Sequence, residues 1–147
     1  MTENTTTPVV LTIASSAYNE AGNVRAFLNS AWCALCVLKV PGEILLIDDG
    51  SADETAAVVK SYAKAHPEIP VRLVRHSRRL GITHAIQELT TLARGSLICF
   101  ISADLESLPE EDIPLLFEAM DQNTDIVAGW RQERADGKVL ASRLYNR

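Results

Sequence analysis

The sequence predicts an open α/β fold, a mostly parallel sheet with helices on both faces. Five short β-rich runs punctuate the chain, four stretches with helical spacing separate them, and most of the runs are continuously apolar instead of alternating. Strands buried under helices on both faces read that way, and regular alternation of strand and helix favours parallel crossovers.

The elements follow in order. "VVLTIAS" (Val9 to Ser15) is the first expected strand, and a helix is expected from Gly22 to Lys39. "EILLID" (Glu43 to Asp48) is the second strand. The helix from Glu54 to His66 then carries Ala56, Val59 and Ala63 at helical spacing behind Ser51 and Asp53, residue types that cap helix starts. "VRLVR" (Val71 to Arg75), a helix from Gly81 to Arg94, and "SLICFIS" (Ser96 to Ser102) come next. The fourth helix, Glu110 to Asp121, opens with Pro109 and a turn rich in acids, which suits the positive end of a helix dipole. "TDIVAG" (Thr124 to Gly129) is the fifth expected strand. "RADGKVLASRLYNR" beyond it reads as a loop and the first turns of another helix, so the domain is expected to be incomplete at its C-terminus.

One domain over residues 9–147 suits a chain of 147 residues with 47% hydrophobic content. Residues 1–8, "MTENTTTP", read as a disordered polar tail without the features of a secretory signal. The longest apolar runs, such as Ala31 to Leu38, fall far short of the roughly 20 residues that cross a bilayer. Net charge is −5, so no overall field draws the protein to nucleic acid. Three cysteines make a disulfide framework an unfavoured reading and place the chain in a reducing, cytoplasmic compartment.

Ligands of open α/β sheets bind beyond the carboxyl ends of the strands. Here those ends carry Tyr18, Asn19, Glu20, Asp48, Asp49, Asp104, Glu106 and Arg131, a candidate site on one rim. Solvated loops and helix starts account for Ser51, Asp53, Glu110 and Glu111, but less well for Asp49 and Asp104, which abut apolar strands. A dinucleotide fingerprint and a Walker-type phosphate loop are both missing: Gly22 stands alone after the first strand, and no Gly-rich loop ends in Lys-Ser or Lys-Thr. A divalent cation held by carboxylates is then the natural bridge to phosphate. If the fourth strand stays extended past Ser102, side chains of Ser102, Asp104 and Glu106 share one face and could hold such a cation.

Other motifs have plainer readings. Cys33 and Cys36 form a Cys-x-x-Cys inside an expected helix, so core or interface packing is preferred over redox or zinc chemistry. His66, His76 and His84 lack ligand-like spacing and are read as surface residues, and the basic run Arg75 to Arg79 as mostly solvated.

The segments "SAYNEAGNV", "EILLIDDGSADET", "LGITHAIQELTTLARGSLICFISADLESLPEEDIP" and "DIVAGWRQERAD" together resemble the family-2 glycosyltransferases, notably the branch like dolichyl-phosphate mannose synthase and bacterial polyprenyl-phosphate glycosyltransferases. The resemblance implies a Rossmann-like GT-A fold that binds a UDP- or GDP-linked sugar with Mg²⁺ or Mn²⁺. It implies inverting transfer to an acceptor such as a polyprenyl phosphate, at the inner face of a membrane, with self-association permitted. Ser16, Tyr18 and Glu20 would line the nucleotide pocket, Ile47 and Asp49 would flank base and ribose, and Ser102, Ala103 and Asp104 would complete it. Asp104 and Glu106 would bind the metal, and Asp104 and Arg131 would serve the leaving diphosphate.

This sequence departs from the family pattern at four places, one of them Arg79, which stands where Asn is common before Gly81. Ser16 replaces the usual Pro, Ser102 replaces the first aspartate of Asp-x-Asp, and Glu106 stands where Gln is usual. Family members also continue well past this length, so the isolated chain is expected to bind nucleotide and transfer poorly. Two rival readings are a non-catalytic binding module of the same fold and a magnesium-dependent receiver or phosphatase-like domain.

Overall fold

The computed structural model describes residues 8–129. Its elements are β1 (Leu11–Ala17), α1 (Val24–Leu38), β2 (Gly42–Asp48), α2 (Thr55–Ala65), β3 (Val71–Arg75), α3 (Ile82–Leu92), β4 (Leu97–Phe100) and α4 (Pro109–Glu118). The described chain forms two units that divide within α4: one runs through Leu115 and contains the whole sheet, and the other starts at Leu116. In the second, Asp121 organises a turn by accepting hydrogen bonds from the Asn123 N–H and the Thr124 hydroxyl.

The sheet has the order β3-β2-β1-β4 and is parallel throughout. β1 and β2 pair over their full length, from Leu11 opposite Gly42 to Ala17 opposite Asp48. β4 pairs with β1 only from Leu11 opposite Leu97 to Ala14 opposite Phe100. β1 therefore runs on through Ser15, Ser16 and Ala17 after its partner on that side has left the sheet, and a crevice opens between them.

Apolar spacing explains the helices. α1 buries Val24, Phe27, Leu28, Ala31, Ala34 and Leu35, one stripe at helical intervals. It ends on Lys39 in the left-handed conformation, whose N–H bonds the Leu35 carbonyl. α3 closes the opposite face of the sheet, where Ala85 and Leu89 pack with Ala14, Leu45 and Ile47. α4 starts at Pro109 with Glu110, Glu111 and Asp112 in its first turn, as the sequence reading requires.

Away from the candidate site, Glu43 is a buried acid that the sequence reading passed over as part of an apolar strand. Its carboxylate accepts hydrogen bonds from the Thr12 hydroxyl (3.0 Å), the Arg72 guanidinium (2.9 Å) and the Arg94 N–H (2.9 Å). Burial alone would raise its pKa, but these donors outweigh it and hold the group below its ordinary value.

Three expectations are corrected. Residues 124–129 form no strand, because a β-run is stabilised by a ladder and none among the described residues pairs with it. The fourth strand stops at Phe100 instead of Ser102, and the following residues form a turn in which Leu105 has φ 62. Cys33 and Cys36 are exposed on α1, which removes the core half of their packing reading and leaves the interface half, because the buried stripe passes through Ala31, Ala34 and Leu35. Cys99 is also free, and burial pushes its thiol up to about 11. The expected helix start after "RADGK" lies outside the described residues.

Candidate active site

The chain builds β1, β2 and β3 outward in one direction and then adds β4 on the other edge of β1. The strand order thus reverses between β1 and β4, which is where open α/β sheets bind ligands. A cavity of about 180 Å³ lies there, lined by Ser16 on β1, Phe100, Ile101 and Ser102 leaving β4, and Ile82 and Ile86 on α3. Ser16 and Ser102 are thereby brought to one crevice.

Asp104 follows two residues later, partly buried, while Ala103 beside it is buried. Asp104 Oδ1 accepts the Glu106 N–H at 3.0 Å and so closes the turn. This replaces the extended geometry expected from alternate spacing: Ser102, Asp104 and Glu106 lie along a turn, not along one face of a strand. The carboxylate retains acceptor capacity after one hydrogen bond, since an ionised carboxylate offers about four lone-pair sites. Hard oxygen donors of this kind suit Mg²⁺ or Mn²⁺, so the residues present fit such an ion.

The β1–α1 and β2–α2 loops are joined by hydrogen bonds. The Asn19 N–H donates to Ser51 Oγ and the Ala52 N–H returns a bond to Asn19 Oδ1, both at 2.9 Å. The Glu20 N–H donates to the Thr55 hydroxyl, the Ala21 N–H donates to Asp53, and the Glu20 carboxylate accepts from the Asn23 side chain. Asn19 reaches this position with φ 57, which asparagine tolerates better than most residues. Tyr18 remains exposed at the rim, with the Arg79 guanidinium 4.3 Å from its ring centre, a cation–π stack.

The two acids at the end of β2, Asp48 as its last residue and Asp49 just beyond it, divide their work. Asp48 is fully buried; its Oδ1 accepts the Ser51 N–H at 3.0 Å, and Arg75 Nε lies 3.1 Å from Oδ2 as an ion pair without hydrogen-bond alignment. Asp49 accepts from the Leu80 N–H (2.8 Å), the Gly81 N–H (2.9 Å) and His76 Nδ1 (2.7 Å), so its carboxylate holds the β3–α3 loop. Burial pushes the Asp49 pKa up, but its hydrogen bonds from His76, Leu80 and Gly81 overcome this and lower it. Gly50, between the loops, has φ 73, and a Cβ there would lie 2.3 Å from the Arg78 carbonyl carbon.

His76 corrects the surface reading of the histidines. Its side chain is 7% exposed, with Nδ1 on Asp49 and Nε2 2.6 Å from Glu88. Asp49 is the main reason its pKa rises; burial opposes the shift and Glu88 adds to it. Neither His76 nor Glu88 stood out in the sequence, because the loop and the helix that bring them together are separated along the chain. His66 and His84 are surface residues as expected. Arg75 and Arg79 are engaged with Asp48 and Tyr18, so the basic run is only partly solvated. Ile47 is fully buried between Ala14, Leu45, Ala85 and Leu89, so its side chain forms core and not a wall for base or ribose. Arg131 lies outside the described residues.

A four-stranded parallel sheet with a reversal of strand order and an acidic turn beside the crevice defines a Rossmann-like α/β domain with a ligand site at its switch point. Residues 12–147 match the family model for glycosyl transferase family 2, and the chain belongs to that family. It is 37% identical over 131 residues to an undecaprenyl-phosphate 4-deoxy-4-formamido-L-arabinose transferase of Edwardsiella ictaluri, covering 88% of this chain and 40% of that protein. It is 29% identical to a dodecaprenyl-phosphate galacturonate synthase of Rhizobium johnstonii, over 88% of this chain and 38% of the relative. The chain thus spans about two-fifths of the length of these relatives.

Among solved structures, a Pyrobaculum calidifontis mannosyltransferase, PcManGT, in complex with GDP-Man and Mn²⁺ superposes with a TM-score of 0.58 at 27% identity, covering 64% of this chain and 27% of that one. S. aureus TarS in complex with UDP gives 0.56 at 19% identity, over 65% of this chain and 28% of that one, a likeness of fold. Family membership removes the receiver-domain reading. No helix among the described residues is long and apolar enough to cross a membrane.

Proposed function

We propose that this chain is the nucleotide-sugar-binding part of a glycosyltransferase that moves a sugar, with inversion, from a UDP- or GDP-linked donor to a polyprenyl phosphate. The observation that carries the reading is the crevice between β1 and β4, lined by Ser16 and Ser102 with the Asp104 turn beside it. Relatives named for transfer to undecaprenyl and dodecaprenyl phosphate support the lipid acceptor, and a relative holding GDP-Man and Mn²⁺ supports the donor class and a divalent ion.

In this reading the base and ribose lie along Ser16 and Tyr18, where the zipped loops fix the backbone from Asn19 to Ala21. Glu20 works mainly by setting that turn, and Asp49 by holding the β3–α3 loop in place. Ala103 keeps the backbone against the core, so the Asp104 carboxylate is presented at a fixed depth. Asp104, with Glu106, would hold Mg²⁺ or Mn²⁺, which when bound neutralises charge developing on the leaving diphosphate. Arg131 is assigned to the same diphosphate on the family resemblance. A lipid phosphate acceptor is already ionised, so attack on the anomeric carbon requires no strong general base from this chain. In this reading, and on the family resemblance, the reaction runs at the inner face of a membrane.

Calorimetric titration with UDP, GDP and their sugars, with and without Mn²⁺, tests this. Binding should require the metal, Asp104→Asn should abolish it, and Glu106→Gln should weaken it several-fold. Nucleotide binding that ignores metal, or none at all, would favour a non-catalytic module of the same fold.

A further inference from the structure

We propose that His76, His84 and Glu88 form a second metal site, for a first-row divalent ion of the zinc class, separate from the Asp104 turn. The three side chains come from two elements: His76 follows β3, whereas His84 and Glu88 sit one helical turn apart on the same side of α3. Each offers one ligand atom, and the three atoms lie within 4.8 Å of one another. His76 Nε2 is 2.6 Å and His84 Nε2 3.9 Å from the same oxygen, Glu88 Oε2. Tetrahedral coordination at typical Zn–N and Zn–O lengths needs ligand atoms about 3.3 Å apart, so small rotamer changes of Glu88 and His84 suffice. Both can make them, being 30% and 53% exposed.

A second observation supports a ligand role for His76. Its far nitrogen, Nδ1, is fixed at 2.7 Å by Asp49, and Asp49 is itself held by the Leu80 and Gly81 N–H groups. A carboxylate on one imidazole nitrogen aims the other at a metal and raises its basicity. When an ion binds, the proton shared by His76 Nε2 and Glu88 leaves to solvent, and the Nε2 lone pair takes the metal. Two imidazoles and one carboxylate favour Zn²⁺, Co²⁺ or Ni²⁺ over Mg²⁺, and the exposed side leaves room for water as a fourth ligand. The ion would pin the β3–α3 loop, and with it Arg79 and its stack on Tyr18, to α3.

Titration of the metal-free 147-residue chain with Co²⁺, followed by its visible absorption, tests the site without nucleotide. The expected result is a one-to-one tetrahedral spectrum without a thiolate charge-transfer band. Affinity should fall at least tenfold in His84→Ala and in Glu88→Gln, and should stay unchanged in Asp104→Asn and in a variant with Cys33→Ser and Cys36→Ser. His84 is exposed, so its variant should fold, which circular dichroism checks. An unchanged affinity in His84→Ala, loss of the signal in the cysteine variant, or no binding by the parent chain would overturn the proposal.

Discussion

Gly50→Ala should be among the most damaging small substitutions available in this domain. Its φ of 73 is left-handed, which costs an L-residue about 1–2 kcal/mol. The added Cβ would meet the Arg78 carbonyl carbon at 2.3 Å, the Arg79 nitrogen at 2.5 Å and Arg78 Cα at 2.7 Å. All three are backbone atoms, so no side chain can swing aside, and forcing them back adds a further cost of about 1–3 kcal/mol. A loss of about 4 kcal/mol is expected. At about 3 °C per kcal/mol for a domain of this size, the melting temperature should fall by about 12 °C. The displaced loop also carries the Leu80 and Gly81 N–H groups that hold Asp49. Two companion variants separate strain from clash. Gly81→Ala, with φ 95 and ψ 162 in a region that only glycine adopts readily but with open space around its Cβ, should lose about 1–3 kcal/mol, and Gly22→Ala, with nothing within 4 Å, should stay within about 0.5 kcal/mol of the parent. Urea unfolding measures all three. A Gly50→Ala loss below that of Gly81→Ala would refute the close approach of the two loops.

Two further outcomes follow from buried polar groups. Glu43 has a folded-state pKa below its ordinary 4.5, so on acidification the unfolded chain takes up the proton first. The stability it contributes is present above about pH 4.5 and lost as pH falls through the lower folded value; Glu43→Gln should flatten unfolding free energy against pH in that acid window, and an unchanged slope would contradict the network with Arg72 and Thr12. The Ser15 hydroxyl is buried with no hydrogen-bond partner among the described residues, so Ser15→Ala should be neutral or stabilising by about 1 kcal/mol in thermal melts; a clear loss would mean that the hydroxyl has a partner.

Most of the fold was legible because its signals are local and repeated. Continuous apolar runs such as "EILLID" can only be strands or buried helix, and the Pro and acids at Pro109 to Asp112 mark a helix start wherever they stand. What failed was geometry set by neighbours. Alternate spacing placed Ser102, Asp104 and Glu106 on one face, but the strand ended at Phe100, where its pairing with Ala14 ended, and the Asp104 carboxylate closed a turn instead. Likewise "TDIVAG" has the residues of a strand without a ladder to join.

The candidate site was legible by type more than by role. Ser16, Tyr18 and Asp104 fall at the rim as the position after each strand requires, whereas Ile47 points into the core by strand alternation that the motif alone does not reveal. His76 was missed because its partners, Asp49 and Glu88, lie on different elements and share no sequence spacing with it.

The central place of β1 has a consequence for how the protein is made. Its β2 edge is matched early, but its β4 edge waits for Leu97, 86 residues after Leu11. At about 5–20 residues per second of synthesis, that edge stays unpaired for about 4–17 s on the ribosome. For that interval "LTIA" (Leu11 to Ala14) presents open backbone donors and acceptors beside an apolar surface, so the yield of folded protein should respond to translation speed between α2 and β4 more than to speed elsewhere.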